Sequence, residues 1–426
     1  MNKIAKIIGR QIIDSRGNPT VEADLFFESG ARGRGSVPSG ASTGNLEALE
    51  LRDNDKSKYF GKSVFNAVNN INSEIANSVS KKTEFNQSTF DKFLINLDGT
   101  ENKSRLGANS ILALSLAFAY ANANEKNEPL YKTLTTNNDY VLPIPLMNII
   151  NGGAHANNNL DFQEFIILPI GFKNFNRSLQ AGIEIFHSLK MSLDKKNMST
   201  SVGDEGGFAP NIKSNLDALD FLMLAIENAG YKPGKEIFLG LDVASSEFFN
   251  DGKYKLDSMN KLYSKEEFAQ YLISLCNDYP IISIEDGMAE NDWEGWKILT
   301  DKLGDKIQLI GDDVFVTNSR ILQEGINQKI ANSILIKLNQ IGTMTETLET
   351  IELARKNNYN YVISHRSGET EDVTIADLAV ATCSGQIKTG SLSRSDRTSK
   401  YNQLIRIGEE IGENMFNSNN VFRKWI

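Results

Sequence analysis

The stretch Ile281-Ile282-Ser283-Ile284-Glu285 is a short apolar run that ends in a charged residue, and the same unit recurs along the second half of the chain. A helical pattern follows each run. The polar residues that end the runs lie 43, 27, 25, 28 and 23 positions apart, about the length of one βα unit. These residues are Asp242, Glu285, Asp312, Lys337, His365 and Lys388.

Amphipathic segments between the runs predict helices over residues 216–229, 266–279, 345–356 and 375–382. Ser264 and Glu267 predict a capping box at the start of the second helix. Apolar strands that alternate with helices indicate the α/β class and a parallel sheet buried on both faces. Six or more such units close into a barrel in which the carboxyl end of every strand faces one mouth. We therefore expect a (β/α)8-type barrel over residues 138–426, with the polar run ends gathered at its mouth.

The first part of the chain, residues 1–137, has a different pattern. Residues 20–27 alternate between apolar and polar side chains like a strand, and helical patterns follow, so we expect a smaller α+β domain that caps the barrel. The small-residue loop from Ser39 to Thr43 is either a lid over a site or an ordinary flexible loop. The apolar run 111–121 has about half of the ~20 residues that a membrane span needs, which predicts a buried helix.

Composition excludes several classes of protein. The chain has 426 residues, 40% of them hydrophobic, which is enough for a sizeable core. Its 45 basic and 54 acidic residues give a net charge of −9, and a general nucleic-acid-binding protein needs a basic face instead. Three histidines are too few for a histidine-rich metal centre. Cys276 and Cys383 are expected to be buried reduced thiols, as in a reducing compartment.

Three of the run ends are carboxylates: Asp242, Glu285 and Asp312. Each one alone is equally well explained as a helix N-cap or a salt-bridge partner. Together at one mouth they would repel one another without a cation, and oxygen ligands favour Mg²⁺ or Mn²⁺. Lys337 ends an apolar run, where neighbouring cations would lower its pKa toward that of a general base. Arg366, with Lys388 nearby, suits a carboxylate or phosphate group on a substrate.

Two Gly-containing loops carry further candidates. Residues 201–210, Ser-Val-Gly-Asp-Glu-Gly-Gly-Phe-Ala-Pro, place Glu205 in a turn that serves either a general acid or only the backbone. His155 ends the second loop, and Gln163-Glu164 follow at the start of an apolar strand. His187 lies in a helical pattern without companion chemistry and is expected to be structural.

Several stretches in order are similar to the motifs of one family. They are residues 14–22 (Asp-Ser-Arg-Gly-Asn-Pro-Thr-Val-Glu), 39–44 (Ser-Gly-Ala-Ser-Thr-Gly), the turn that ends in Glu205, 335–342 (Leu-Ile-Lys-Leu-Asn-Gln-Ile-Gly) and 364–372 (Ser-His-Arg-Ser-Gly-Glu-Thr-Glu-Asp). With them the chain resembles the enolase family across essentially its whole length. The segment Ile284-Glu285-Asp286-Gly287 is similar to bacterial members.

The resemblance implies an enolase-type barrel behind a capping domain, and a hydro-lyase of glycolysis and gluconeogenesis. The implied reaction is the Mg²⁺-dependent, reversible dehydration of 2-phosphoglycerate to phosphoenolpyruvate through an enolate. Two Mg²⁺ ions per active site are implied, the second of which arrives with the substrate.

The resemblance also implies roles for individual residues. Lys337 would remove the C2 proton, and Glu205, assisted by Glu164, would protonate the departing hydroxyl. The metal ligands would be Asp242, Glu285 and Asp312, with Ser42 for the second ion. The substrate contacts would be His155, Gln163, His365, Arg366, Ser367 and Lys388.

For partners and location, the resemblance implies a homodimer or octamer in the cytoplasm, without a membrane span or nucleic-acid binding. An additional cell-surface or secreted pool is not readable from the sequence. Two other functions stay open: another carboxylate-transforming enzyme of the same superfamily, or a scaffold or surface-binding role on this body. Gly408 and the tail 422–426 depart from the family pattern, and in a helix interior Gly costs about 1 kcal/mol relative to Ala.

Overall fold

A four-stranded antiparallel sheet forms the core of the first domain. The computed structural model describes residues 2–41, 44–79, 83–136, 139–416 and 421–426. The strands of this sheet are β1 (Asn2–Ile13), β2 (Pro19–Phe27), β3 (Arg32–Ser36) and β4 (Glu84–Phe85), in the order β3-β2-β1-β4. The alternating stretch 20–27 lies in β2, as expected.

Helices cover this sheet. They are α1 (Phe65–Asn70), α2 (Ala76–Ser78), α3 (Gln87–Asp98), α4 (Ala108–Lys126) and α5 (Leu130–Thr133), and a π-helical turn, Ile71–Ile75, joins the first two. The run 111–121 lies within α4 and is almost wholly buried, which confirms the predicted buried helix. Helix α4 packs directly on β3 because Gly33 and Gly35 leave room for its backbone: a Cβ at Gly33 would lie 1.9 Å from the Ala117 carbonyl oxygen.

The second domain is a closed eight-stranded barrel, which confirms the predicted fold class. The strands of this domain are β5 (Ile144–Asn151), β6 (Glu164–Leu168), β7 (Phe238–Asp242), β8 (Phe249–Asn250), β9 (Lys253–Leu256), β10 (Lys261–Tyr263), β11 (Ile281–Glu285), β12 (Gln308–Gly311), β13 (Ser333–Ile336), β14 (Asn360–Ser364) and β15 (Gln386–Lys388). The barrel order is β11-β12-β13-β14-β15-β5-β6-β7, and β8 to β10 form a separate small antiparallel sheet.

One barrel strand, β6, runs against its neighbours. It pairs antiparallel with both β5 and β7, whereas the other barrel pairs are parallel. The expectation that every strand points its carboxyl end at the mouth is therefore wrong for β6. Its reversal puts Glu164, the first residue of β6, in register with Asp242, the last residue of β7.

Helices surround the barrel. They are α6 (Phe175–Lys195), α7 (Asn215–Asn228), α8 (Lys265–Asp278), α9 (Trp293–Leu303), α10 (Ser319–Gln328), α11 (Leu338–Ile341), α12 (Met344–Lys356), α13 (Thr374–Ala381) and α14 (Ser395–Ile411). The four predicted helices correspond to α7, α8, α12 and α13 within one residue at each end. The predicted capping box is present: the Ser264 hydroxyl accepts from the Glu267 amide, and the Glu267 carboxylate accepts from the Ser264 amide at 2.8 Å.

Polar contacts join the two domains beside the barrel mouth. The Asp91 carboxylate of α3 accepts from the Thr345 amide at 2.9 Å, and Lys103 pairs with Glu346 at 3.0 Å. Both Thr345 and Glu346 lie in the first turn of α12, so the capping domain holds this helix at its start. The proposed boundary between residues 137 and 138 stays a prediction, because both residues lie outside the described ranges.

Two further sequence expectations concern solvent exposure and membranes. Neither Cys276 nor Cys383 is in a disulfide, as expected, but both are half-buried rather than fully buried. In the described part of the chain, no helix combines the length and the apolar composition that a membrane crossing requires.

We expect Gly33→Ala to lower the free energy of unfolding by at least about 1–3 kcal/mol, because the added methyl group meets backbone atoms of α4 that cannot rotate away. Urea unfolding followed by circular dichroism measures this change. Arg32→Ala on the same strand is the control, since its half-exposed ion pair with Asp24 contributes about 0–1 kcal/mol. A Gly33→Ala protein as stable as this control would contradict the close packing of α4 on β3.

Candidate active site

The barrel mouth brings together the polar residues that end the strands. Asp242, Glu285 and Lys388 are the last residues of their strands, and Asp312 and Lys337 directly follow theirs. All the residues that line the cavity at this mouth are buried except Lys337, which is half-buried. They are His155, Gln163, Glu164, Glu205, Asp242, Lys337, Ser364, His365, Arg366, Ser367 and Lys388.

Lys388 lies in the middle of three buried carboxylates. Its Nζ is 2.9 Å from Asp242 Oδ2, 2.8 Å from Glu285 Oε2 and 3.1 Å from Glu164 Oε1. Burial lowers the pKa of Lys388, but the three negative charges outweigh burial and raise that pKa well above its usual value. The side chain is therefore a permanent cation that neutralises the strand ends, in addition to any contact with substrate.

Lys337 makes the corresponding contact with the third carboxylate. Its ammonium group donates to Asp312 Oδ2, and the Gln340 amide donates to Asp312 Oδ1 at 2.8 Å. Burial and the charge of Arg366 lower the pKa of Lys337, but the Asp312 carboxylate outweighs them and the net shift is upward. The expectation of a lowered pKa is therefore wrong for this arrangement, because the nearest partner of Lys337 is an anion.

The donor atoms at this mouth fit a hard divalent cation. Burial, with the negative charges of Asp242 and Asp312, raises the pKa of Glu285 well above its usual value, so added positive charge at this mouth would favour its carboxylate form. Gln163 Oε1 and Glu164 Oε2 are buried without a hydrogen-bond partner. Oxygen donors of this kind are the ligands that Mg²⁺ prefers.

Among the described residues, the carboxylates that lie closest together differ from the predicted set. Two groups have ligand atoms that all lie within 4.8 Å of one another: His155, Glu164 and Glu205, and Asp286, Asp312 and Asp313. The predicted set Asp242, Glu285 and Asp312 is not one of these groups; its members pair instead with Lys388 and Lys337. Its role as a metal site stays a prediction.

Glu205 and Glu164 form a pair of buried acids beside His155. The Nδ1 of His155 is 3.6 Å from an oxygen of each carboxylate, and the Asn148 amide donates to Glu205 Oε2 at 2.9 Å. Burial and the Glu205 charge raise the pKa of Glu164 well above its usual value. Burial also raises the pKa of Glu205, but the imidazoles of His365 and His155 outweigh burial and lower it. The two acids are therefore shifted in opposite directions, Glu164 toward its protonated form and Glu205 toward its carboxylate.

The loop that carries Glu205 depends on one glycine. Gly206 has a φ of +86°, and a Cβ there would lie 2.5 Å from the Ser393 carbonyl oxygen. Only glycine takes this left-handed conformation readily and allows such close approach of a second backbone segment. The turn predicted from residues 201–210 thus holds Glu205 against the loop that precedes α14.

Arg366 and Ser367 receive contacts from the capping domain. Arg366 pairs with Glu47 at 2.9 Å and donates to Asn339 Oδ1 at 2.9 Å. The Ser367 hydroxyl accepts from the Ala41 amide at 2.7 Å. The first residues of the predicted lid loop therefore lie on the predicted substrate-binding segment. Ser42 and Thr43 lie outside the described residues.

Four residues that contact this site were not predicted from the sequence: Glu47, Asn148, Gln340 and Arg397, whose guanidinium contacts the His365 ring. Gln340 lies three positions after Lys337, on the short helix α11. This spacing puts the two residues on the same side of a helical turn, which was the signal in the sequence for Gln340. Glu47 and Asn148 lie in segments without a charge pattern. Arg397 is one of several charged residues near the start of α14, and only the three-dimensional structure distinguishes it from them. His187, expected to be structural, is exposed on α6 and is not among the residues that line the cavity.

Comparison with known families adds two matches, one for each domain. The family model described as "Enolase, N-terminal domain" matches residues 4–134. The model described as "Enolase, C-terminal TIM barrel domain" matches residues 139–425. The matches are consecutive and together cover nearly the entire chain.

We expect Lys388→Met to lower the free energy of unfolding by about 3–5 kcal/mol in the presence of EDTA, because it leaves buried carboxylates without their cation. Urea unfolding measures the loss, and added Mg²⁺ should restore part of it. Lys265→Met is the control: it removes an exposed ion pair with Glu294 and should leave stability almost unchanged. A Lys388→Met protein with unchanged stability would show that these carboxylates are neutralised in another way.

Proposed function

The chain belongs to the enolase family, and we propose that it catalyses the reversible, Mg²⁺-dependent dehydration of 2-phosphoglycerate to phosphoenolpyruvate. One observation carries the proposal: Lys337 and two buried acids, whose pKa values are shifted in opposite directions, line the same cavity beside carboxylate oxygens. Abstraction of a proton next to a carboxylate and loss of hydroxide require these three elements together.

Binding of the substrate falls to the cations and donors around the cavity. Arg366 presents a planar guanidinium that suits bidentate contact with a phosphate or carboxylate. Its present partner, Glu47, lies four residues after the predicted lid loop. Ser367, His155, Gln163 and His365 supply further contacts. Exchange of Glu47 for a substrate anion would couple binding to movement of the loop from Ser39 to Thr43.

Asp242, Glu285 and Asp312 would hold one Mg²⁺, and Ser42 would help to hold a second that arrives with the substrate. When bound, the metal supplies positive charge that stabilises the carboxylate of the substrate as negative charge develops on it. Asp312 would then be held by the metal as well as by Lys337. The positive charges of Arg366 and Lys388 act on its pKa downward, so Lys337 can take the C2 proton as general base.

Glu205 would donate the proton that the departing C3 hydroxyl needs. In the substrate-free protein the pKa of Glu164 is shifted upward and that of Glu205 downward. Glu164 would therefore act as the proton reservoir and Glu205 as the final donor, with His155 between them. When two carboxylates lie close together, the repulsion between their charges raises the pKa of one of them. That group then stays available as an acid near neutral pH.

The proposal extends to the setting of the reaction. We place the protein in the cytoplasm, in glycolysis and gluconeogenesis, as a homodimer or octamer. Gel filtration with light scattering distinguishes the two oligomers.

Purified protein with 2-phosphoglycerate and Mg²⁺ should produce the ultraviolet absorbance of phosphoenolpyruvate, and EDTA should abolish it, because the carboxylates at the mouth need a divalent cation to stabilise developing charge. Continuous spectrophotometry measures the rate. The Lys265→Met surface variant should match the unmodified protein. Absence of a Mg²⁺-dependent signal would reject the proposed reaction.

Exchange of the C2 proton with solvent distinguishes the proposed base from the proposed acid. Lys337→Ala should abolish exchange of the C2 proton with solvent deuterium, whereas Glu205→Gln should keep some exchange and lose net dehydration by about 10²- to 10⁴-fold. Proton NMR of 2-phosphoglycerate in deuterium oxide follows the exchange, and absorbance follows dehydration. Equal loss of exchange in both variants would contradict the assignment of roles.

A further inference from the structure

Arg397 is a buried cation that reaches the active site from α14. Its side chain has no exposed surface. One terminal nitrogen, Nη1, contacts His365 Nδ1 and donates to the Arg366 carbonyl at 2.6 Å. The other, Nη2, donates to the Ser367 carbonyl at 2.6 Å and to the Asp204 carbonyl at 3.1 Å. The guanidinium thus ties the Glu205 turn to the segment that is proposed to bind substrate.

The contact with His365 fixes the position of a proton. A guanidinium has only donors and keeps its charge at any pH relevant to a protein. The Nδ1 of His365 must therefore accept, which leaves the proton of a neutral imidazole on Nε2. That nitrogen lies 3.3 Å from Glu205 Oε2, where a proton on Nε2 removes the repulsion between two lone pairs.

The charged groups around His365 agree with a neutral ring. Burial lowers the pKa of His365 to about 4; the charge of Arg397 acts in the same direction, and the Glu205 and Glu369 carboxylates oppose it. Glu369 is already paired with Lys400 at 3.0 Å, and its other oxygen accepts from the Arg366 amide at 3.0 Å. His365 is thus a neutral ring across the neutral pH range, with its Nε2 facing Glu205 Oε2 at 3.3 Å.

We infer that Arg397 is a positioning residue that holds His365 as the neutral tautomer protonated at Nε2, so that the acid Glu205 faces a fixed neutral donor instead of an imidazolium. An imidazolium at 3.3 Å would hold Glu205 as a permanent carboxylate and oppose its uptake of the proton from Glu164. The inference rests on the proposed function for the role of Glu205, but the state of His365 is measurable without any substrate.

Lys400 provides a matched control one turn further along α14. It is also fully buried, and its Nζ donates to the Thr370 carbonyl at 2.8 Å and the Asp396 carbonyl at 2.6 Å, besides its pair with Glu369. It braces the same loop, residues 365–370, and none of these contacts involves His365. A purely structural role for Arg397 would make the two residues equivalent.

Long-range proton–nitrogen NMR of the full-length protein labelled with ¹⁵N-histidine tests the inference. The sequence has three histidines, so the spectrum has three imidazoles, each assigned by loss of its signal in a His→Gln variant. In the unmodified protein, His365 should show one neutral tautomer with the proton on Nε2, and it should not titrate between about pH 6 and 8. Arg397→Met should let His365 gain a proton as the pH falls through this range, whereas Lys400→Met, which leaves Arg397 in place, should keep the proton of the neutral ring on Nε2.

Kinetics with 2-phosphoglycerate supply the second readout. Arg397→Met should lower kcat about 10²-fold with a smaller change in KM, and Arg397→Lys should recover part of kcat. A protonated Nδ1 or an imidazolium at His365 in the unmodified protein would overturn the inference, and this result is obtained even if Arg397→Met fails to fold. An unchanged His365 spectrum in Arg397→Met would also overturn it. A protein without dehydratase activity that still shows the predicted spectra would reject the proposed reaction and leave the tautomer assignment standing.

Discussion

The structure of the barrel mouth depends on the neutralisation of buried negative charge. Removal of a carboxylate from water costs several kcal/mol unless a cation or hydrogen bonds replace the lost solvation. Glu164, Asp242 and Glu285 share the single ammonium group of Lys388, and Asp312 has that of Lys337. The same lysines are proposed to act on substrate, so any bound state has to provide other positive charge to these carboxylates. The same side chains therefore contribute both to stability and to the proposed catalysis.

The reversed strand β6 determines which residues share the mouth. A parallel β6 would place its carboxyl end there and send Glu164 to the opposite end of the barrel. Because β6 is antiparallel to both neighbours, its first residue lies beside the last residue of β7, and Glu164 reaches both Lys388 and His155. One change of strand direction therefore brings an acid into a group of residues that otherwise follow the rule for parallel barrels.

The sequence predicts most of the fold, because the fold follows local periodicity. The strand runs and the helices α7, α8, α12 and α13 have strong apolar patterns, and the capping box at Ser264 is a local signal. The direction of β6 has no local signal: an apolar strand of five residues has the same pattern in either direction. The direction of β6 is determined by its antiparallel pairing with β5 and β7, which depends on the whole barrel.

The candidate site divides in the same way. Residues that end the apolar runs, such as Asp242 and Lys337, were identifiable because polar groups at strand ends are conspicuous. Their partners were not, since Glu47 and Arg397 come from remote segments and have no pattern of their own. The direction of the Lys337 pKa shift was missed for a related reason: it depends on which charge lies nearest, and the sequence gives only the set of charges at the mouth.

The position of Lys388 along the chain also has a consequence for how the protein is made. Its carboxylate partners Glu164, Asp242 and Glu285 precede it by 224, 146 and 103 residues, and its strand β15 closes the barrel between β14 and β5. Contacts of such long sequence separation form late and slow folding. During synthesis from the N-terminus, these acids leave the ribosome well before the lysine that neutralises them. Until residue 388 emerges, the barrel cannot close between β14 and β5, and these carboxylates lack Lys388 as a partner.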